Sequence, residues 1–121
     1  MLTAKMESRI QEFVGLVRTV GEEYRQFCTN GTLVPADKVS VSFGRKYAKI
    51  VHTGEWQTMV HSFVDTTNGD ILMAATWKAP VTKSPRGNIF ADDLGRSAIT
   101  AHGARYSGQD LTEYHKQVRN L

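Results

Sequence analysis

The chain has 121 residues, 40% of them hydrophobic, which fits one domain spanning residues 1–121 with a core that needs no crosslinks. Its single cysteine, Cys28, excludes an intramolecular disulfide, and the sequence contains neither the apolar run of a signal peptide nor a membrane span. From the single cysteine and these two absences we expect a soluble intracellular protein. The net charge of +3 and the isoelectric point of about 9.2 suit a phosphate-bearing partner without requiring one.

The first predicted element is a helix over residues 3–28. Its apolar side chains recur at spacings of three and four residues, as an amphipathic helix requires: Met6, Ile10, Phe13, Val14, Val17, Val20, Tyr24 and Phe27. Asn30-Gly31 is a helix stop signal, and Pro35 follows in a predicted linker.

Two hairpins are predicted next. The first covers residues 38–53, where apolar and polar side chains alternate around a turn at Gly44-Arg45-Lys46. The second joins residues 57–65 to residues 70–76 through Asn68-Gly69, a pair typical of a type I′ turn with positive φ at both positions. Four strands joined by hairpins imply one antiparallel sheet, whose apolar face the first helix covers.

The remaining chain is predicted as a long basic loop over residues 76–90, an ambiguous segment with a short helix, and a second amphipathic helix from Ser107 onwards. The fold class is therefore α+β. It consists of an N-terminal helix packed on a four-stranded antiparallel sheet of hairpins, a long basic loop and a C-terminal helix.

Signals of catalytic or metal chemistry are weak in this sequence. None of the four histidines has another ligand at metal-binding spacing: His52, His61, His102 and His115. No nucleophile elbow occurs, and the acidic residues around Asn68-Gly69 fit a hairpin turn better than a calcium loop. We therefore predict that the protein is not an enzyme and holds neither a metal nor a cofactor.

The basic loop contains the parts of a nucleotide site. Prolines stiffen it, cations can neutralise phosphates, an aromatic ring can stack on a base, and an amide can bind a base or ribose edge. In chain order these residues are Trp77, Lys78, Pro80, Lys83, Pro85, Arg86 and Asn88. The alternative is that Trp77 packs in the core and the cations are merely solvated, and composition leaves both open.

Three further arginines are candidates for the same site. Arg25 lies near the end of the first helix, and Arg105 lies between two glycines in a segment that need not be helical. Arg45 lies in the first hairpin turn, where an ordinary solvated tip is the alternative. Each of them can reach a pocket or form a surface ion pair.

The central part of the chain resembles small phage proteins that counter the Thoeris bacterial immune system. The matching features are FGRKYAKIV over residues 43–51, the Asn68-Gly69 hairpin, Trp77 followed by Lys-Ala-Pro, and the segment from Arg86 to Phe90. The resemblance covers the middle half of the chain well and both ends loosely. One departure is an extra residue between Trp77 and Asn88, at Ser84-Pro85.

The resemblance implies a sponge, which captures the signalling isomer glycocyclic ADP-ribose in the host bacterial cytoplasm and does not cleave it. It implies a homodimer with the ligand between protomers, and pocket residues at Trp77, Asn88, Arg105 and Arg25. It also implies possible hexamers that hold the cyclic di- and trinucleotides of a second immune system, CBASS. For those ligands the candidates, on charge alone, are Arg45, Lys78, Lys83 and Arg86.

Two other functions remain open from the residues. A sheet carrying Trp56, Phe63 and Trp77 with a basic rim can bind single-stranded nucleic acid, although its modest charge disfavours this. An inhibitor that binds another protein, with no small ligand, is the third alternative.

Overall fold

The computed structural model describes residues 2–29, 38–54 and 57–119, so the predicted stop at Asn30-Gly31, the linker with Pro35, and Trp56 lie outside the described residues. The elements are α1 (Ala4–Thr29), β1 (Lys38–Phe43), β2 (Tyr47–Thr53), β3 (Thr58–Asp65), β4 (Asp70–Leu72), β5 (Gly87–Asn88), a 3₁₀ turn (Arg96–Ala98) and α2 (Thr112–Arg119). This confirms the α+β class. No helix within the described ranges is long and apolar enough to cross a membrane.

Helix α1 forms the first layer and covers one face of the sheet. It begins where the Thr3 hydroxyl accepts a hydrogen bond from the Met6 amide at 3.1 Å, satisfying one otherwise free amide of the first turn. The predicted apolar stripe is confirmed as far as Val20, because Ile10, Phe13, Val17 and Val20 are all fully buried, but it is wrong at Phe27, which is 41% exposed. They form one core cluster with residues of the strands: Val39, Ala48, Ile50, Val64 and Ile71.

The sheet has five strands in the order β1-β2-β3-β4-β5, and all neighbouring strands are antiparallel. The prediction of four strands was wrong by one, since β5 pairs with β4 inside the segment predicted as loop. A strand of two residues is too short to show an alternating pattern. The predicted strand over residues 70–76 is also shorter, because β4 ends at Leu72.

The second hairpin is confirmed, but its predicted type I′ turn is wrong. Only Gly69 of the pair has a positive φ, of 85°, and its amide donates to the Asp65 carbonyl at 2.8 Å. The Asp65 carboxylate accepts from both the amide and the hydroxyl of Thr67, at 2.9 and 2.6 Å. These side-chain bonds hold a longer connection over residues 66–69 than a two-residue turn.

Residues 73–86, which we call the arm, form a narrow excursion between β4 and β5. Ala74 bridges Pro80 across it, and the Val81 amide donates to the Met73 carbonyl at 2.7 Å. At its tip, the Thr76 hydroxyl accepts from the amides of Lys78 and Ala79. The predicted loop is therefore an ordered hairpin-like structure, whose tip carries Trp77 and Lys78.

The C-terminal segment closes the fold beside α1. It has the 3₁₀ turn and an isolated bridge between Ile99 and Ala104, where the sequence left a short helix ambiguous. Helix α2 begins at Thr112 instead of at Ser107. The Asp110 carboxylate accepts from the Thr112 amide at 2.9 Å just before it, and Leu111 and Val118 are buried.

Candidate functional site

The face of the sheet opposite α1 carries one row of aligned side chains. Alternation along each strand directs neighbours to opposite faces, so Lys49, between the buried core residues Ala48 and Ile50, points away from α1. Lys49 pairs with Phe63, and Phe63 pairs with Leu72, so these three residues share the outer face. Phe63 and Leu72 are nonetheless buried, with exposures of 2% and 3%.

A cavity of about 410 Å³ opens on this outer face. Its lining contains four cations and no carboxylate; the lining residues are Ser42, Gly44, Arg45, Lys46, Tyr47, Lys49, Phe63 and Lys78. Together with Trp77 we call them the outer-face site. Three elements supply its cations, since the β1–β2 turn places Arg45 and Lys46, β2 places Lys49, and the arm places Lys78. Clustered cations without counter-charges attract anions.

Trp77 lies at the tip of the arm and is 48% exposed, so the alternative that it packs in the core is contradicted. The ammonium of Lys49 lies 4.4 Å from the centre of its ring. Such a cation–π contact is worth about 0.5–1 kcal/mol at an exposed position. A base that stacked on this ring face would have to displace the ammonium.

Aromatic rings also form the floor beside the cations. Tyr47 and Phe63 make an edge-to-face contact with ring centres 6.3 Å apart, and the Lys46 ammonium lies 5.5 Å from the Tyr47 ring centre. The site therefore combines flat apolar surfaces with positive charge. Phosphorylated ligands that contain a base need both.

The side chain of Asn88 is engaged within the chain. Its amide nitrogen donates to the Asn68 carbonyl at 2.9 Å and to the Asp70 carboxylate at 3.0 Å. Its amide oxygen accepts from the Phe90 amide at 2.8 Å. Asn88 thus ties β5 to the β3–β4 hairpin, and its role in ligand binding stays a prediction.

The two predicted pocket arginines outside the arm line other cavities. Arg25 donates from Nε to the Glu22 carboxylate at 3.0 Å, which lowers the pKa of Glu22, and it lines a cavity of about 260 Å³ beside Tyr24. Arg105 donates to the carbonyls of Arg86 and Gln109 and lines a cavity of about 830 Å³. Among the cavities formed by the described residues, Arg25 and Arg105 therefore line different ones, and Trp77 lines neither of these two.

The remaining predicted cations divide into two groups. Arg45 and Lys78 both line the cavity of the outer-face site. Lys83 is exposed and does not line that cavity, and Arg86 is buried. Sequence reasoning missed Lys49. The alternation in Tyr-Ala-Lys-Ile, residues 47–50, contained the signal, because it places the lysine on the face opposite the two core residues.

Across the described ranges, no group of three or more His, Cys, Asp or Glu side chains could hold a metal ion. No curated protein and no solved structure matches the chain. One family model does match, over residues 4–112, and it is described as a family of unknown function (DUF7717). Because the match spans nearly the whole sequence, the chain belongs to this family of unknown function.

Proposed function

We propose that the protein is a phage immune-evasion protein that binds and sequesters, without cleaving, the cyclic ADP-ribose isomer that signals in Thoeris defence. The observation that carries the proposal is the outer-face site, where four cations without a carboxylate surround a cavity beside an exposed tryptophan. The sequence resemblance supplies the particular nucleotide. The site's geometry supports a phosphorylated ligand that contains a base.

In the proposed complex the two chemical parts of the ligand bind separate parts of the site. The base stacks on Trp77, a contact worth about 1–3 kcal/mol by analogy with base–aromatic stacking in nucleic-acid complexes. The pyrophosphate lies among Arg45, Lys46 and Lys78, which converge from two elements. Once the base takes the ring face, Lys49 is released from Trp77 and adds a fourth cation to the phosphates.

The direct test is capture followed by release. The purified protein is incubated with glycocyclic ADP-ribose, separated from free ligand by filtration, and then denatured by heat. Mass spectrometry of the released fraction should find the intact ligand in near-stoichiometric amounts. Hydrolysed ligand would make the protein an enzyme, and an empty fraction would reject this ligand.

Variants on the arm locate the site. Lys78→Gln removes a cation that lines the cavity, whereas Lys83→Gln removes an exposed cation of the same arm outside the cavity. Calorimetric titration should show binding about tenfold to a hundredfold weaker for Lys78→Gln and little change for Lys83→Gln, since one charge-assisted contact contributes about 1.5–3 kcal/mol. Equal effects of both variants would place the ligand elsewhere.

We further propose that the working form is a homodimer, or a hexamer built from such dimers, which also holds cyclic di- or trinucleotides of the CBASS system. The support is that Trp77, Arg25 and Arg105 line different regions of one chain, so a site using all three requires a second copy. Light scattering coupled to size-exclusion chromatography measures the mass. A monomer at all concentrations, with ligand bound, would contradict this part.

A second candidate is binding of single-stranded nucleic acid, and the exposed ring of Trp77 among cations favours it as well. Fluorescence titration with short oligonucleotides distinguishes the two functions. A nucleic-acid site should weaken steeply with salt because phosphate contacts release counterions. Flat titrations at low salt would leave the small nucleotide as the ligand.

A further inference from the structure

Strand β1 is one of the two edges of the sheet, because among the described strands it pairs only with β2. The opposite edge, β5, has only two residues, whereas β1 has six and pairs with β2 without a register shift. Strand β1 contains no proline, and its one charge is at its first residue, Lys38. Proteins usually protect a long edge strand with prolines, bulges or several charges, so an edge without them is suited to pairing.

Alternation along β1 determines which of its backbone groups face the open edge. The Gly44 amide donates to the Tyr47 carbonyl at 2.9 Å, so Gly44 belongs to the set of residues that bond to β2. In an antiparallel pair, such residues alternate with residues whose amides and carbonyls point away from the neighbouring strand. By this count the outward residues of β1 are Val39, Val41 and Phe43.

Most of these outward groups have no hydrogen-bond partner among the described residues. The exception is the Val39 carbonyl, which accepts from Nη2 of Arg18 at 3.1 Å. This bond supports the alternation, because it ends on a carbonyl that β2 does not use. The open edge is therefore a row of backbone donors and acceptors, and such a row is a template for another strand.

One antiparallel register lets β1 pair with its own copy through all three outward residues. It places Val41 opposite the partner's Val41, and Val39 opposite the partner's Phe43. Each Val41 then exchanges two hydrogen bonds with its copy, and each Val39 amide donates to a Phe43 carbonyl. Each Phe43 amide donates to a Val39 carbonyl, whose oxygen has a second lone pair beside the one that Arg18 uses.

The side chains that meet in this register are compatible. On the outer face the exposed Ser40 lies opposite the partner's Ser42, so two small polar groups face each other. On the inner face Phe43, which is 41% exposed, lies opposite the partner's Val39, and such pairs of aromatic and β-branched residues stabilise a sheet. The two Lys38 residues lie at opposite ends of the paired strands, about 20 Å apart along them. No like charges therefore face each other within the paired strands.

The same register connects this edge to the outer-face site. Lys38 shares a face with Ser42, which pairs with Lys49, so Lys38 belongs to the outer face. The register places the partner's Lys38 opposite Gly44, and both Ser42 and Gly44 line the cavity. A second copy would therefore add a cation at the border of the cavity.

We propose that two copies of the protein dimerise by antiparallel pairing of their β1 strands, centred on Val41, so that the two sheets become one. The partner's Lys38 then belongs to the outer-face site of each copy. This inference rests on the proposed homodimer and names its interface, but it does not depend on which nucleotide is bound. A second copy suits the edge because one register satisfies all its outward groups and opposes no like charges.

Amide exchange measured by NMR at low and high protein concentration tests the pairing residue by residue. The amides of Ser40, Ser42 and Gly44 bond to β2 in one chain, so they should be protected at both concentrations. The outward amides should exchange about tenfold more slowly at high concentration, when the second copy occupies them. An exchange rate of the Val41 amide that does not depend on concentration would reject the pairing.

Charged substitutions on the outer face test the register. One variant combines Ser40→Lys with Ser42→Lys, and a second combines Ser40→Glu with Ser42→Glu, at exposed positions that take no part in the core. The control combines Ser107→Lys with Gln117→Lys, which adds two charges at exposed positions outside β1. Sedimentation velocity should show dimers about tenfold weaker for each β1 variant, because like charges then face each other, and unchanged dimers for the control.

An equimolar mixture of the two β1 variants places lysine opposite glutamate. The mixture should form heterodimers about tenfold more tightly than either variant forms homodimers. Heterodimers no tighter than the homodimers would reject this register.

Two further outcomes separate this inference from the proposed function. A wild-type dimer that tolerates both pairs of charges would leave the homodimer standing and reject β1 as its interface. A wild type that stays monomeric at all concentrations would reject the interface and the homodimer together. Capture of the nucleotide is decided separately, by the filtration experiment.

Discussion

His61 should make the stability of the protein depend on pH in a defined window. It lies in β3 with 2% exposure, and burial lowers its pKa from 6.5 to about 4. Its Nε2 donates to the Thr100 carbonyl at 2.9 Å, since a carbonyl can only accept, and its Nδ1 therefore accepts from the Ser62 hydroxyl at 2.9 Å. The folded protein thus holds His61 in the neutral form.

The size of the effect follows from the difference between the two pKa values. Between pH 6.5 and pH 4 the unfolded chain binds a proton at His61 that the folded chain excludes. The free energy of unfolding is therefore highest above pH 6.5 and falls by about 3 kcal/mol as the pH drops to about 4. Burial also lowers the pKa of His115, which adds to the loss in the same direction.

Urea unfolding at a series of pH values, followed by circular dichroism, measures this dependence. His61→Gln removes the titrating group and keeps an amide that can donate to the Thr100 carbonyl, so its curve should be flatter by about 3 kcal/mol across the window. His102→Gln removes an exposed histidine whose charge adds only a minor part to the lowered pKa of His61, so it should keep most of the wild-type dependence. Identical pH profiles for the wild type and His61→Gln would refute the reasoning.

Four further substitutions test the fold. Asn88→Ala should lower the free energy of unfolding by about 1–3 kcal/mol, because its side chain makes three internal hydrogen bonds, and urea unfolding measures this. Gly108→Ala, at a φ of 78° with open space around it, should cost about 1 kcal/mol in the same assay. Gly95→Ala, at a φ of 90° where the added Cβ would clash with the Ile71 side chain, should cost about 2–4 kcal/mol. Phe13→Ala, at a fully buried position, should cost about 3–5 kcal/mol, seen as a large fall in melting temperature.

Hydrophobic periodicity predicted those elements that are long enough to show it. Helix α1 buries the stripe read from its three- and four-residue spacing, and β1 and β2 alternate around the predicted turn at Gly44-Arg45-Lys46. Strand β5 is only Gly87–Asn88, and hydrogen bonding to β4 creates it without any pattern of its own. The turn at Asn68-Gly69 differs from type I′ because the Asp65 side chain bonds to Thr67.

The candidate site could be predicted only in its parts. Composition identified Lys78 and Arg45 as cations, and Trp77 as an aromatic ring, that suit a nucleotide. The structure brings all three to the outer face of the sheet. It could not show that Asn88 would be engaged by its neighbours, or that Arg86 would be buried, because both depend on the register of β5 against β4. The spacing of residues within one segment does not show which distant segment it pairs with, or in which register.

The arm has an exposed tip and a buried base within one short segment. Its tip exposes Trp77 and Lys78, which gives a diffusing anion an open and positively charged first contact, and electrostatic attraction raises the association rate. Its base buries Arg86, whose exposure is only 8%. The proposed capture of a signal at low concentration needs fast association, because each molecule must be bound before it reaches its receptor. In that proposal the exposed cations at the tip supply the fast association.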